Sequence, residues 1–271
     1  MTGADAAASP SPKEWDAKTY QRASDPQFTW GKKVLAALDL HGGERVVDAG
    51  CGTGRLTELI AERLPRGHVI GVDRSENMLD EARARVLARF GPERVSFVSA
   101  DLATWIASPP VDAVFSTATF HWVLDHARLF ASVRASLRKG GALVAQCGGA
   151  GNLVRVRDHA RRIETSARFA PYFAGVPEPW HFADPEETAS LLAAAGFDRI
   201  ETSLELAPTP FPDEATYREF VEKLVFRASL ARLPDAATRA AYVDAIVAAS
   251  AAEDPPFTLD YVRLNIRARA A

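Results

Sequence analysis

Apolar positions along the chain change period more than once. Residues 13–23 and 28–40 carry a helical spacing of apolar side chains, and His41-Gly42-Gly43 supplies a stop for the second helix. From residue 44 onward, short apolar runs alternate with helical stretches. The runs 44–48, 67–73, 94–99, 111–116 and 142–147 read as strands. The stretches 55–64, 76–90 and 126–137 read as helices, with Ser75 as N-cap of the second and Lys139-Gly140-Gly141 closing the third. Strands alternating with helices build βαβ units, and right-handed crossovers then place helices on both faces of a parallel sheet. Several of the runs are apolar throughout, as a sheet covered on both sides requires.

Beyond Gly148 the pattern changes. A basic helix is expected over 153–169, followed by an aromatic and proline-rich loop over 171–184. A helix over 185–195 has Asp184 as N-cap and Gly196 as its stop. A strand over 200–206, helices over 214–230 and 235–251, and a last strand over 258–268 complete the chain.

Composition narrows the class. The chain has 271 residues, 47% apolar and 25% charged, with a net charge of −3. That balance suits a globular protein with a core of its own. It lacks the basic excess expected of a nucleic-acid binder. No apolar stretch reaches bilayer-spanning length, so no membrane partner is expected. The two cysteines, Cys51 and Cys147, match no disulfide scaffold and no metal site, which points to a reducing, cytoplasmic setting. Residues 1–12 read as a disordered tail.

The strongest chemical signal is Asp48-Ala49-Gly50-Cys51-Gly52-Thr53-Gly54, between a strand and a helix. Glycines there permit a tight turn and let a ligand lie on bare backbone, while the helix N-terminus favours an anionic group. A dinucleotide fingerprint puts its third glycine where Arg55 stands, so this spacing argues against NAD and FAD. Asp73 ends the second strand, where a carboxylate can accept from ribose hydroxyls, and Asp101 follows the third. Either carboxylate alone would pass as an ordinary strand-end residue. Together with the loop they line the edge at which open α/β sheets bind ligands.

The combination VVDAGCGTG, GVDRSENML and SAD-L resembles the class I S-adenosylmethionine (SAM) dependent methyltransferases. The N-terminal WDAKTYQRASDPQF, together with HWVLDHARLFASVRASLRKGG and WHFADPEETASLLAAAGF, resembles their trans-aconitate methyltransferase-like branch. The resemblance implies a Rossmann-like α/β fold: a seven-stranded, mostly parallel sheet with helices on both faces, its last two strands an antiparallel hairpin, and a helical cap. It implies one methyltransferase domain over 13–271. Within it, 13–43 would be lid helices, 44–149 the SAM-binding core, and 150–184 and 207–256 cap insertions. SAM would be the cofactor and S-adenosylhomocysteine the product. Asp48, Gly50, Gly52 and Gly54 would hold the amino-acid part of SAM, with Cys51 filling space in the same loop. Asp73 would bind the ribose. Arg74 and Met78 would pack on the adenine, and Asp101 and Leu102 would bind its other edge. Ser116 and Thr117 would offer backbone to the SAM amino group, Phe120 would lie beside the methyl group, and Tyr20, with Trp30 as a second candidate, would close over the cofactor.

The acceptor side is less legible. An ionised carboxylate needs no base to accept a methyl group, whereas a phenol gains from one. His121 and Trp122 follow the fourth strand; His121 reads either as a base or orienting group, or as a hydrogen-bonded wall residue. Tyr172, Trp180 and His181 are candidates for the pocket wall or for loop packing. Arg157, with Arg155, Arg161 and Arg162, reads either as a clamp for an acidic acceptor or as a solvated helix face. The expected partner is a small-molecule acceptor, the chain acting as monomer or homodimer, without nucleic acid or metal. A carboxylate acceptor, a quinone-like or natural-product ring methylated on carbon or nitrogen, and a non-catalytic SAM-binding role all remain open.

Overall fold

The computed structural model describes residues 25–271. The expected helix 13–23 and Tyr20 lie outside them. Helix α1 (Asp25–Ala36) precedes five parallel strands: β1 (Arg45–Ala49), β2 (His68–Asp73), β3 (Val95–Ser99), β4 (Val111–Thr117) and β5 (Leu137–Gly148). Between them run α2 (Arg55–Arg63), α3 (Glu76–Phe90) and α4 (His126–Ser136). Then follow α5 (Val154–Glu164), α6 (Ala170–Phe173), α7 (Pro185–Ala194), β6 (Phe197–Leu206), β7 (Thr209–Pro210), α8 (Glu214–Phe220), α9 (Arg227–Leu230), α10 (Ala236–Ala251), β8 (Thr258–Leu259) and β9 (Val262–Ala270).

The main sheet has seven strands in the order β3-β2-β1-β4-β5-β9-β6. Only β9 runs against the others, pairing antiparallel with both β5 and β6. This is the Rossmann-like fold expected from the resemblance. Two apolar clusters sandwich the sheet, one around Phe130 and Leu143, the other around Ile60, Val95 and Phe115. Val46, Val69, Val95 and Val111 are fully buried, as strands covered on both faces must be. A third cluster joins α5 to the helices between β6 and β9, around the buried Tyr217 and Tyr242.

Helix ends are held by side chains. Ser75 accepts the Met78 N–H at 3.4 Å and Asp184 that of Glu187 at 2.8 Å, both as expected. Arg63 donates to the carbonyls of Leu35, in the last turn of α1, and Leu38, just beyond it.

Several boundaries depart from the sequence reading, among them the helix expected over 28–40, which spans Asp25–Ala36 and ends before the expected stop at His41-Gly42-Gly43. The expected stop at residues 139–141 lies instead within β5, where a bulge containing Gly140 (φ +75°) separates the Val111–Leu137 pair from the Ala113–Ala142 pair. The expected helix 153–169 ends at Glu164. The expected helix 214–230 is broken by a π-turn at Val221–Val225, closed by the Phe226 N–H on the Val221 carbonyl at 2.8 Å. The expected last strand is two strands. β8 pairs with β7, and the chain turns at Asp260–Tyr261 before β9 joins the main sheet.

Candidate functional site

One open cleft lies across the carboxyl edge of the parallel strands, enclosing about 1160 Å³ with its solvent-filled mouth. The glycine loop forms one wall. The N–H groups of Gly50 and Cys51 both reach the Val72 carbonyl, at 2.7 and 3.1 Å, tying the loop to β2. The three glycines all have positive φ but serve different ends. A Cβ on Gly50 (φ +78°) would fall 2.1 Å from Thr119 Oγ1, so only hydrogen fits. Gly52 (φ +53°) faces open space, with no atom within 4 Å of a would-be Cβ. Gly54 (φ +77°) packs α2 onto α3, where a Cβ would meet Ala82 at 3.0 Å, and it does not line the cleft.

Asp73 closes the loop from the next strand. Its Oδ2 accepts the Gly52 N–H at 3.0 Å and its Oδ1 that of Ser75 at 2.9 Å. Burial raises its pKa, and the hydrogen bonds from Ser75 and Gly52 oppose that rise. Arg74, Met78, Asp101 and Leu102 continue the same wall. Asp48 faces the interior instead. It is fully buried, accepts from Thr57 Oγ1 at 2.6 Å, and burial pushes its pKa up to about 7. Burial also holds the Cys51 thiol well above its ordinary pKa, so it stays protonated and is no nucleophile.

At the end of β4, Thr117 lines the cleft, whereas Ser116 is buried and donates to the Ala49 carbonyl at 2.7 Å. Phe120 points into the core against Phe130, and Thr119 holds the place beside Gly50. His121 and Trp122 both line the cleft. His121 Nδ1 accepts the Gly148 N–H at 3.2 Å. The ring's remaining proton is therefore on Nε2. Burial first, and then the charge of Arg263, keeps the imidazole neutral far below its usual range.

The expected aromatic loop begins with α6, and near its end successive side chains at residues 180–182 point to different sides. Trp180 and Phe182 line the cleft with their rings stacked at 5.6 Å. His181, between them, turns outward onto His126 and lies 3.1 Å from Glu187. Tyr172 is exposed and does not line the cleft. The four arginines form no common clamp. Arg155 pairs with Glu253, Arg161 with Asp158 and Glu178, and Arg162 is exposed. Arg157 pairs with Glu178 behind Phe182, its guanidinium 5.1 Å from that ring.

Lining residues not anticipated from sequence include Gln27, Asn152, Phe182, Leu224, Val225, Tyr261 and Arg263. Leu224 and Val225, both in the π-turn, line the cleft. Arg263 is 3% exposed, and its guanidinium lies 4.8 Å from the Trp30 ring. The signal available in the sequence was a charged residue two positions into an otherwise apolar strand start.

Comparison with known proteins covers the glycine-loop side of the cleft. Residues 46–141 match the family described as methyltransferase domain. The matched segment carries the glycine loop, both cleft carboxylates and His121. The trans-aconitate 2-methyltransferase of Rhizobium rhizogenes is 39% identical over 132 residues, 49% of this chain and 49% of that protein. Its counterpart in Rhodopseudomonas palustris is 37% identical over 133 residues, 49% of this chain and 50% of that one. The chain thus spans about half the length of the curated relatives it matches. Among solved structures, a Haemonchus contortus phosphoethanolamine N-methyltransferase 2 with S-adenosylhomocysteine superposes with a TM-score of 0.60 at 20% identity, covering 94% of this chain and 56% of that one. At that identity the likeness establishes the fold alone. Among the described residues no helix is long and apolar enough to cross a membrane.

Proposed function

We propose that the protein transfers a methyl group from SAM to a small-molecule carboxylate. The observation that carries this reading is the match of residues 46–141 to a methyltransferase domain, whose glycine loop and Asp73 form one wall of an open cleft. The open space over Gly52 fits a ligand lying on bare backbone, and Asp73 suits a ribose diol. Gly50, Gly52, Asp73, Arg74, Met78, Asp101 and Leu102 would hold SAM. Asp48, Cys51, Gly54, Ser116 and Phe120 support that wall from behind, since none of them lines the cleft.

Bound there, SAM supplies a methyl group on a sulfonium, an electrophile ready for an aligned nucleophile. The chain's own contribution is alignment and exclusion of water, worth roughly 7–11 kcal/mol when the reacting atoms are well placed. His121 is a donor toward the cleft, its accepting nitrogen being taken by Gly148. It orients an acceptor and does not deprotonate one. A carboxylate acceptor suits this arrangement, being ionised without help. The trans-aconitate relatives support the same class.

The experiment is incubation with methyl-labelled SAM and, in parallel, trans-aconitate and a panel of aromatic and aliphatic carboxylates, followed by assay for base-labile, volatile label. Label released by base supports esterification. Tight S-adenosylhomocysteine binding without transfer to any carboxylate would leave the cofactor site standing and overturn the acceptor class. A second reading, an acceptor with an apolar body, is favoured by the wall of Trp122, Trp180, Phe182, Leu224 and Val225.

A further inference from the structure

Two separate pieces of chain wall the acceptor side of the cleft. One is the turn after β4, with His121, Trp122 and Val123. The other is the end of the aromatic loop, with Trp180 and Phe182. They meet ring against ring: Trp122 lies 5.7 Å from Trp180 and His121 lies 5.6 Å from Phe182, centroid to centroid. The backbone supplies one tie between them, from the His181 N–H to the His121 carbonyl at 2.8 Å. A second tie lies behind the wall, at the His181 side chain.

The His181 ring reaches two other elements. Its Nδ1 is 3.3 Å from the Leu124 carbonyl, in the turn after β4, and its Nε2 is 3.1 Å from a Glu187 carboxylate oxygen on α7. A carbonyl and an ionised carboxylate only accept, so both contacts are hydrogen bonds only when both ring nitrogens carry a proton. That is the imidazolium. A neutral ring turns a lone pair toward one of the two oxygens and has to release it.

His126 faces the same ring, stacked at 4.2 Å between centroids. Its Nε2 is 3.1 Å from the Phe120 carbonyl and so carries the proton, while its Nδ1 is buried with no partner among the described residues. Burial first, and then the charge of His181, lowers the His126 pKa, against the opposing pull of the Phe120 carbonyl, Glu187 and Asp125. Two stacked cations repel, so the pair holds its one added proton on His181. The other charged groups around it are Asp125, 3.9 Å from Arg128 at the start of α4, and Asp184, which accepts the Glu187 N–H as N-cap of α7.

We infer that His181 is a positioning residue of the acceptor wall, whose imidazolium clamps the turn after β4 and α7 to the aromatic loop and gives up one of those two ties when it loses its proton. This rests on the reading of the cleft as a methyl-transfer site and adds a control of its acceptor side. The sign follows from the contacts: the wall is held more firmly at low pH and loosens as pH rises. His181 and Glu187 are 31% and 40% exposed, so the effect is that of a screened ion pair and not of a buried one.

The test is hydrogen–deuterium exchange of the residue 181 amide, followed by NMR on the full chain at about pH 5.5 and about pH 8.5, which bracket the range where histidine changes charge. Protection factors correct for the intrinsic dependence of exchange on pH. The wild-type factor is expected to fall by about two- to fivefold between the lower and the higher pH. His181→Gln keeps the backbone tie and cannot gain the charge, so its factor should sit at the wild-type high-pH value at both pH values. Asp48 titrates in both chains, and comparing them removes its effect on global stability. A purely structural role for His181 would lower protection equally at both pH values and leave the fall intact. Glu187→Gln serves should His181→Gln not fold. Its amide can turn to suit either form of the ring, so the fall should vanish there too. No fall in the wild type, a fall of the same size in the folded variants, or greater protection at the higher pH would each overturn the inference. Failure of the wild-type chain to bind S-adenosylhomocysteine is a separate result. It would overturn the methyl-transfer reading, while the exchange experiment still decides whether the clamp exists.

Discussion

His121 Nδ1 accepts the backbone N–H of Gly148 at 3.2 Å, which joins the turn after β4 to the end of β5 and leaves the imidazole a donor toward the cleft. Burial and the nearby Arg263 hold its pKa well below 6.5. A general base would need the nitrogen that Gly148 occupies. The pH–rate profile of methyl transfer should therefore show no ionisation between about pH 6 and 8 that disappears in His121→Gln. That variant, which keeps a side-chain donor, should raise the acceptor KM more than it lowers kcat. Loss of an ionisation from the profile together with a collapse of kcat would restore His121 as a base.

Gly50 and Gly52 separate fold from ligand. Gly50→Ala drives a methyl group into Thr119, with all the Thr119 side-chain atoms nearest that position within 2.6 Å. Overpacking and positive φ together cost roughly 2–4 kcal/mol, a fall in Tm on the order of 5–10 °C. Gly52→Ala meets no protein atom and carries only the backbone strain, about 1 kcal/mol. It should melt near the wild type yet lose SAM affinity, because its methyl group occupies the cleft. Thermal melts and SAM titrations on both variants check this. Unchanged SAM affinity in Gly52→Ala would show that no ligand lies on that backbone.

Asp73 is bound to the loop and to the helix start on one side and open to the cleft on the other. Asp73→Ala removes the anchor for the Gly52 N–H together with the diol acceptor. Its effect on SAM should be about a hundredfold or more in Kd, the sum of two charge-assisted hydrogen bonds. Isothermal titration measures it directly. A Kd within about threefold of wild type would remove Asp73 from the cofactor site.

Asp48 makes stability depend on pH. Its carboxyl is raised by burial from 3.8 to about 7 in the folded chain. A raised acid binds its proton more tightly in the native state than in the unfolded one. Its contribution is thus fully present below the unfolded value and is lost as pH climbs from about 4 to about 7. The loss is a few kcal/mol at most, at about 1.4 kcal/mol per pH unit. Asp48→Asn retains an acceptor for Thr57 and cannot ionise. The gain in Tm from this substitution should be larger at pH 8 than at pH 5. A gain that is larger at pH 5 would contradict the buried carboxyl's assignment.

Sequence reading reached the parts of this protein that are decided locally. The period of apolar residues marked β1 to β4 and their helices, because each is short and faces one environment along its length. The Gly50, Gly52 and Asp73 spacing was visible because a tight turn and a strand end leave little choice of residue. The same reading named Trp180 and His181 together. In the structure they point opposite ways, and Phe182 takes the second place in the wall. Likewise Arg157, on a helix face rich in arginine, is held by Glu178, a residue of the following loop.

Strand β9 shows where the boundary falls. Arg263, Asn265, Arg267 and Arg269 share one face of the strand by strict alternation, and that much follows from the sequence alone. Arg267 and Arg269 are exposed, whereas Arg263 is buried beside Trp30 of α1, more than two hundred residues away in the chain. Period assigns a side chain to a face. Only tertiary packing decides whether that face meets water or a cleft, because covering it takes a helix brought in from a distant part of the chain.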